Sequence, residues 1–377
     1  MATRVCCKNA APNQGAFAVG RQRNFHVLLR RSPTCLSRNH SNHHIIRSWS
    51  RPANDLPTTF ATPLYRFMAT TPPRSAGRRE VQDITMSGGT PKEKIRLVGV
   101  EQTLLPMVMF KIRDSESPNP ILGDPYAKQL LDRCDVDLEA THFSATMDRR
   151  YVTWIANRAK RFDDWCQEFL DAHQGPVTVL HLGCGLDCRY FRVERRPRAE
   201  VRWIDLDQPM VVDLRSRLIP RTAVEGDYAL RTLDVTREGW YRDVPSDRPT
   251  IIIAEGVMPY LEPEEGQKLI KDLVGYFGGS EQGDGYRGQI VFDTLGSLSV
   301  RLTKYIKALR SSRAMFKWGV DEPEQILGLH PQLQLKDRVL WREYMDGHPP
   351  FFGKYGTAAA SVMPSFNKNI QFWRFDF

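Results

Sequence analysis

Short apolar runs that alternate with helical stretches constrain the fold of this chain more than any other feature. The runs are rich in β-branched side chains and comprise Val177 to Leu182, Val201 to Ile204, Ile251 to Ala254 and Gln289 to Phe292. Helices fit between them, at Pro209 to Leu218 and Pro263 to Phe277, and both begin with proline, which is favoured in the first helical turn. The alternation predicts an α/β fold with a doubly wound, Rossmann-like sheet, in which ligands bind at the carboxyl ends of the strands.

Helical and extended patterns also flank this core. Between Tyr151 and Leu170 apolar residues recur mostly three or four apart, which predicts an amphipathic helix that ends before Gly175-Pro176. At the other end of the chain, the aromatic tail from Phe366 to Phe377 predicts a strand that closes the sheet. The folded domain is therefore expected to cover residues 92–377.

Charge is distributed unevenly along the chain. The 377 residues have a net charge of +9, but residues 1–79 contain thirteen basic side chains and one acid, Asp55, so this segment alone carries +12 and the remainder carries −3. A mildly acidic body argues against a nucleic-acid-binding surface. Residues 1–85 are predicted to be a disordered basic head, which is a mitochondrial transit peptide, a plain low-complexity extension or the result of an upstream start with the working start at Met68 or Met86.

The sequence also bears on the protein's location. No apolar run approaches the roughly 18 residues needed to span a bilayer, so no membrane span is expected. Seven cysteines, an odd number, without a secretory signal predict reduced thiols and an intracellular location, mitochondrial or cytoplasmic. Nothing in the pattern indicates the oligomeric state.

A glycine pair follows the first strand. In Leu182-Gly183-Cys184-Gly185 the two glycines allow a sharp turn from strand to helix and close approach of a ligand to the backbone. The third glycine of the dinucleotide fingerprint is absent, because Cys188 stands in its place. A nucleoside that bears an amino acid needs no pyrophosphate seat, so the pattern favours S-adenosylmethionine over NAD.

Acidic residues follow the later strands. Asp205 and Asp207 lie about 20 residues beyond the glycines, where a Rossmann-like site binds ribose hydroxyls. Alternatively, one of them caps the helix that begins near Pro209. Asp234 is a candidate for binding the adenine amino group, and Glu255 lies where a strand opens into a loop, a costly place for a carboxylate without a partner.

At these residues the chain resembles the leucine carboxyl methyltransferase superfamily, in its branch of polyketide-synthesis O-methyltransferases. The resemblance covers roughly residues 92–377 and rests on five segments in one order: Asn157 to Asp164, Leu182 to Arg189, Asp205 to Pro209, Leu233 to Val235 and Ile253 to Leu261. The sequence departs from the family in Cys188, where Thr is usual, and in Pro259, where an apolar residue is commoner.

The resemblance implies S-adenosylmethionine as cofactor and a role for each matched residue. Arg158 would bind the methionine carboxylate, while Gly183 and Gly185 would pass beneath the methionine and ribose. The remaining roles fall to carboxylates and one apolar residue: Asp207 on the ribose hydroxyls, Asp234 with Val235 at the adenine, and Glu255 at the amino-acid end near the sulfonium. One arginine among carboxylates suits a cofactor that has one carboxylate, an ammonium and a sulfonium.

The acceptor side is less specified. The stretch from Phe316 to Glu324 resembles a segment of the small-molecule branch, in which insertions and N-terminal helices form a lid over the acceptor. Tyr260 and Trp318 are predicted to line the acceptor pocket, whereas Phe110 is expected to pack in the core.

Other chemistry-bearing residues favour structural roles. His181 lies inside a strand, where a packed or hydrogen-bonded core histidine is expected, and no general base is identified. Cys184 and Cys188 do not follow the spacing of zinc sites, so no metal is predicted.

Three functions are compatible with the sequence. The favoured one is methylation of a small-molecule hydroxyl or carboxyl group, with a polyketide-like acceptor. The alternative is a protein methyltransferase that esterifies a C-terminal leucine, most plausibly of a phosphatase 2A catalytic subunit. The third is a cofactor-binding protein that has lost turnover.

Overall fold

A seven-stranded sheet forms the centre of the structure, which is a computed structural model. It describes residues 92–94, 104–135, 149–194, 200–219, 224, 226–235, 237–279, 288–303, 315–344 and 364–377. The chain divides into two units, Met1–Pro72 and Pro73–Phe377, and every described residue belongs to the second. The predicted basic head, residues 1–85, lies outside the described residues.

The described strands form two sheets. Their bounds are β1 Glu93–Lys94, β2 Cys134–Asp135, β3 Val177–Leu182, β4 Val201–Asp207, β5 Tyr228–Thr232, β6 Thr250–Ala254, β7 Gly288–Leu295, β8 Gln334–Leu340 and β9 Ile370–Asp376. β1 and β2 pair with each other in parallel, and the large sheet has the order β5-β4-β3-β6-β7-β9-β8. Its first five strands are parallel, and β9 runs antiparallel to both of its neighbours.

The helices surround this sheet. Their bounds are α1 Leu104–Ser115, α2 Pro125–Leu131, α3 Arg149–Ala172, α4 Arg189–Arg192, α5 Pro209–Leu218, α6 Pro263–Phe277, α7 Ser297–Thr303 and α8 Glu324–Leu327. Helix α6 begins with a capping box between Glu262 and Glu265, in line with the acids that follow its first proline. None of the described helices combines the length and apolarity needed to span a bilayer.

The predicted α/β class and the predicted elements between Tyr151 and Phe292 are confirmed. β3, α5 and α6 have the predicted bounds, and β4, β6 and β7 are longer than predicted. The tail forms strand β9, but it lies between β7 and β8, so β8 and not the tail forms that edge of the sheet. The N-terminal helices α1–α3 and the segment from Phe316 to Glu324 are among the described residues, and a lid over the acceptor stays a prediction.

Apolar layers cover both faces of the sheet. On one face Phe162, Trp165 and Phe169 of α3 belong to the cluster that contains the odd-numbered residues of β3 and β6. On the other face Ile270 and Leu273 of α6 pack with the even-numbered ones. Because successive side chains of a strand point to opposite faces, a strand buried on both faces reads as a continuous apolar run.

The sheet fixes the place of a ligand site. From β3 the chain proceeds to β4 on one side, while β6 pairs with β3 on the other, so the strand order reverses at β3. Open α/β sheets bind ligands in the crevice outside the carboxyl ends of the strands at this switch point. The segments after β3, β4 and β6 are those in which the sequence places the candidate residues.

Candidate active site

The loop after β3 needs both of its glycines. Gly183 and Gly185 have φ of 59° and 52°, in the left-handed region that L-residues avoid. A Cβ at Gly183 would lie 2.5 Å from Cγ2 of Val257, and one at Gly185 would lie 2.8 Å from Cδ2 of Leu104. The loop therefore passes between the start of α1 and the loop after β6, with no room for a side chain.

Asp207 joins this loop to the end of β4. Its Oδ2 accepts a hydrogen bond from the amide of Gly185 at 2.6 Å, and its Oδ1 accepts one from the amide of Gln208 at 2.7 Å. Burial raises the pKa of Asp207, although both amides stabilise the charged form. The N-cap of α5 is Gln208, so neither aspartate is its N-cap residue.

Asp205 does not lie in the ligand site, and its predicted role in cofactor binding is wrong. The side chain is fully buried. All its hydrogen bonds are internal: Oδ1 accepts from His181 and Trp203, and Oδ2 accepts from Arg215 at 2.6 Å and from Tyr228 at 2.9 Å. Asp205 and Asp207 are two residues apart on β4, so their side chains lie on the same face of the sheet. Asp207 is at the carboxyl end of the strand, where it is partly exposed, and Asp205 lies further from that end.

Arg158 and Glu255 contact each other at the end of β6. Nε of Arg158 donates to Oε1 of Glu255 at 3.0 Å, and Nη1 donates to Oδ2 of Asp293 at 3.2 Å. The other oxygen of Asp293 accepts from the amide of Gly256 at 2.6 Å. Sequence reasoning missed Asp293, which lies 135 residues from Arg158 and within an apolar strand.

The pKa values of these two acids move in opposite directions. Burial opposes ionisation of Glu255, but the fields of Arg158, Arg189 and Lys111 outweigh it and lower its pKa to about 2. Burial also raises the pKa of Asp293, which Arg158 and the amide of Gly256 offset only in part. Glu255 is therefore a fixed negative charge at this end of the site.

A second guanidinium, that of Arg189, also binds Glu255. Arg189 is fully buried; its Nη2 donates to Oε2 of Glu255 at 2.5 Å, and its Nε donates to Asp163 at 2.7 Å. Its Nη1 donates to Nε2 of His181, whose Nδ1 donates to Asp205. His181 is thus the hydrogen-bonded core histidine that its strand position predicts.

Asp187 lies at the end of the glycine loop, and the cationic side chains of Lys111, Arg189 and Arg192 surround it. Its Oδ1 accepts from Lys111 at 2.9 Å and from Arg192 at 2.7 Å. Its buried Oδ2 lies 3.3 Å from Arg189 but has no hydrogen-bond partner among the described residues. Burial raises the pKa of Asp187, but Arg192, Lys111 and Arg189 together hold it well below its usual range. Sequence reasoning assigned no role to these cations, although Arg189 lies within the glycine motif.

The segment after β5 lies beside Asp207. The amide of Leu233 donates to the carbonyl of Asp207 at 2.7 Å, which places Asp234 and Val235 next to the strand end of β4. Val235 is partly buried against the core, and it lines a groove together with Trp240 and Tyr241. The position of Asp234 and Val235 is compatible with the adenine role that the resemblance implies.

One of the two predicted acceptor-lining aromatics belongs to the core. Trp318 is 4% exposed, and its ring occupies the space above Gly266 of α6, where a Cβ would lie 2.1 Å from Cζ3. The prediction that Trp318 lines the acceptor pocket is therefore wrong. Tyr260 is partly exposed and packs against Phe316 at a centroid distance of 5.0 Å. Phe110 is buried in the core, as expected.

The cysteines near the loop are buried thiols. Cys184 and Cys188 are buried, and burial raises the pKa of both thiols, so neither is an activated nucleophile. Within the described ranges no group of three or more His, Cys, Asp or Glu side chains is arranged to hold a metal ion.

Comparison with known proteins decides the family. A family model described as leucine carboxyl methyltransferase matches residues 107–274. The S-adenosyl-L-methionine-dependent methyltransferase dpfgK of Gibberella zeae is 36% identical over 265 residues, which cover 67% of this chain and 87% of that protein. The chain belongs to the leucine carboxyl methyltransferase family. It is an S-adenosylmethionine-dependent methyltransferase.

The chain is also similar to a second named methyltransferase and to a solved structure. The tetracenomycin polyketide synthesis O-methyltransferase TcmP of Streptomyces glaucescens is 37% identical over 246 residues, 65% of this chain and 84% of that protein. A solved structure of a DUF574 family protein from Streptomyces avermitilis has a TM-score of 0.44 at 11% identity, over 72% of this chain and 96% of that chain.

The site of this family member fits S-adenosylmethionine. The glycine loop has the left-handed backbone that a tight turn after β3 requires, and it lies at the switch point of the sheet, where open α/β sheets bind ligands. Arg158 and Glu255 supply opposite charges for an amino-acid end, and Asp207 supplies acceptors for a ribose.

Proposed function

We propose that this enzyme methylates a hydroxyl or carboxyl group of a polyketide-like small molecule. The observation on which the proposal rests is the 37% identity to TcmP, a polyketide synthesis O-methyltransferase, over 84% of the length of that protein. Of the two relatives described above, TcmP is the one whose name states what it acts in, polyketide synthesis. The proposal transfers that class, and not a particular polyketide, to this chain.

We also propose which residues of the site bind the cofactor. We propose that Arg158 binds the methionine carboxylate, that Asp207 binds the ribose hydroxyls, and that Asp234 and Val235 contact the adenine. When bound, S-adenosylmethionine supplies a methyl group on a positively charged sulfur. Glu255, ionised at neutral pH, places a negative charge at the amino-acid end of this site. Because Glu255 is hydrogen-bonded to two guanidiniums, its position is fixed before any ligand binds.

Alignment of the acceptor is the main task that remains for the protein. Holding the acceptor oxygen in line with the reacting methyl group can contribute ~7–11 kcal/mol in favourable cases. A carboxylate acceptor needs no base, whereas a phenol must lose its proton. His181 is enclosed by Asp205 and Arg189 and does not serve as that base. Tyr260, at the partly exposed end of this region, is the acceptor-lining residue that we propose.

The alternative acceptor is the C-terminal carboxyl group of a protein. It is favoured by the description of the family model, leucine carboxyl methyltransferase. The two acceptors differ in what becomes labelled: a protein ester would be base-labile and would remain with a protein band, whereas a methylated polyketide would enter an organic solvent.

A labelling experiment separates these functions. The purified enzyme is incubated with methyl-labelled S-adenosylmethionine and a cell extract, and label is measured in the organic phase and in protein bands. The expected result is organic-soluble label that is absent with the Asp207→Ala variant. Base-labile label confined to a protein of phosphatase size would contradict the proposal. No label in either fraction, together with no binding of the cofactor, would exclude both methyltransferase activities.

A further inference from the structure

Tyr344 is held from two sides at the carboxyl edge of the sheet. It follows β8 and the short 3-10 helix Trp341–Glu343. Its ring stacks on Phe372 of β9, with centroids 4.7 Å apart and planes at 19°. Its carbonyl accepts a hydrogen bond from the side-chain Nδ2 of Asn157 on α3 at 3.2 Å. These contacts restrict both the ring and the backbone, so the position of the hydroxyl is defined.

This position is next to the Arg158–Asp293 ion pair. Phe372, on which the ring stacks, is the register partner of Asp293 across β7 and β9. Asn157, which bonds the carbonyl of Tyr344, directly precedes Arg158 on α3. The charges of Asp293 and Arg158 both act on the pKa of Tyr344, which burial raises well above its ordinary value. The phenol therefore stays protonated and is a hydrogen-bond donor.

The hydroxyl of Tyr344 makes no hydrogen bond to the described residues. Its oxygen is inaccessible to solvent and has no hydrogen-bond partner among the residues described. Buried polar groups are nearly always hydrogen-bonded, and those that are not call for an explanation such as a ligand. By contrast, the hydroxyl of Tyr228 donates to Asp205, and that of Tyr276 donates to the carbonyl of Val244 at 2.9 Å.

Nη2 of Arg158 is not engaged by either of the two carboxylates that bind this guanidinium. Its Nε is engaged by Glu255 and its Nη1 by Asp293, while Nη2 contacts only the sulfur of Met107, at 3.9 Å. Thioether sulfur is a weak acceptor. A carboxylate has two oxygens and accepts several hydrogen bonds, so a donor beside Nη2 of Arg158 would add to its binding.

We propose that the hydroxyl of Tyr344 is the second donor to the methionine carboxylate of S-adenosylmethionine, beside Nη2 of Arg158. The neutral hydroxyl adds a hydrogen bond without adding charge to a cluster that already contains Arg158, Glu255 and Asp293. The proposal concerns the cofactor and does not depend on which acceptor the enzyme methylates.

Two nucleosides test this role. The Tyr344→Phe variant is titrated by calorimetry with S-adenosylhomocysteine, which has the carboxylate, and with 5′-methylthioadenosine, which lacks the amino-acid end. We expect the dissociation constant of S-adenosylhomocysteine to rise about tenfold, the effect of one lost hydrogen bond to a charged group. The dissociation constant of 5′-methylthioadenosine should be unchanged. Tyr276→Phe is the matched control and should leave both constants unchanged.

Three outcomes would overturn the proposal. Equal weakening for both nucleosides would show that Tyr344 supports the site structurally. Unchanged binding of both nucleosides would show that the hydroxyl does not contact the methionine carboxylate. A Tm below that of the wild type would show that the hydroxyl has an internal partner, because removal of an unpartnered buried hydroxyl is not expected to destabilise the fold.

Discussion

At the scale of single residues, Asp205 and Asp207 differ in role because they lie at different positions along one strand. Both lie on the same face of β4, but Asp205 is enclosed by four hydrogen-bonding side chains, whereas Asp207 bonds only to backbone amides at the strand end. The first stabilises the fold, and the second is available to a ligand. Spacing in the sequence does not distinguish them, because both are acids at the end of an apolar run.

Alanine at each position should separate the two roles. Asp207→Ala is expected to weaken S-adenosylhomocysteine binding by about 10- to 100-fold, because charge-assisted hydrogen bonds to the ribose are lost, with a small change in Tm. Asp205→Ala leaves Arg215 as an unpaired buried charge and should lower the free energy of unfolding by about 3–5 kcal/mol. Calorimetric titration and denaturant unfolding measure the two effects. The reverse pattern would show that the assignment of the two aspartates is inverted.

The glycine loop gives a second residue-scale prediction. Gly183→Ala combines a left-handed φ with a Cβ only 2.5 Å from Val257, so we expect a loss of about 1–3 kcal/mol in the free energy of unfolding. Gly175→Ala is the matched control, since no atom lies within 4 Å of its Cβ, and it should change stability by less than about 0.5 kcal/mol. Equal stabilities of the two variants in urea would contradict the steric argument.

At the scale of elements, the sequence predicts what local patterns determine. β3, α5 and α6 have their predicted bounds because continuous apolar runs, prolines and capping acids act within a few residues. β8 was not predicted because most of Gln334–Leu340 is partly or fully exposed and polar, so no apolar run marks it. β5 is likewise only partly buried.

Local patterns likewise predict one part of the candidate site and leave the other part unpredicted. Its glycines and strand-end acids follow from motifs, but Arg189 and Asp293 act through partners 66 and 135 residues away. Those pairs exist because the parallel order of β3, β6 and β7 brings the three carboxyl ends together. Trp318 was misplaced for a related reason: an aromatic residue in a loop gives no sign that Gly266 of a distant helix leaves space for its ring.

The ion pairs of Glu255 predict a pH dependence of stability. Its pKa in the folded protein is about 2, below the ordinary 4.5, so the stabilisation is fully present above about pH 4.5 and is lost as the pH falls toward 2. The shift corresponds to about 3 kcal/mol. The free energy of unfolding, measured at several pH values, should therefore fall less between about pH 4.5 and pH 2 in Glu255→Gln than in the wild type.

A glutamate outside the site serves as the control for this prediction. Glu264 is exposed in the first turn of α6, and Glu264→Gln should keep the wild-type dependence on pH. The same dependence in Glu255→Gln as in the wild type would mean that Glu255 does not contribute the stabilisation.

At the scale of the whole molecule, every residue assigned to the site lies at or beyond Leu104, outside the basic segment that accounts for the net positive charge. We therefore expect a chain that begins at Met86 to bind S-adenosylhomocysteine with the dissociation constant of the full chain. Calorimetric titration of both chains checks this. A loss of binding in the shorter chain, with its Tm unchanged, would show that residues 1–85 take part in the site.

We propose that the carboxyl ends of β3, β4 and β6 hold S-adenosylmethionine between Asp207 and the Arg158–Glu255 pair. A crystal structure of the full chain with S-adenosylhomocysteine would show whether they do. We expect ribose hydroxyls on Asp207, the amino-acid end between Arg158 and Glu255, and no contact with Asp205. A ligand bound elsewhere, or one whose ribose does not reach Asp207, would contradict it.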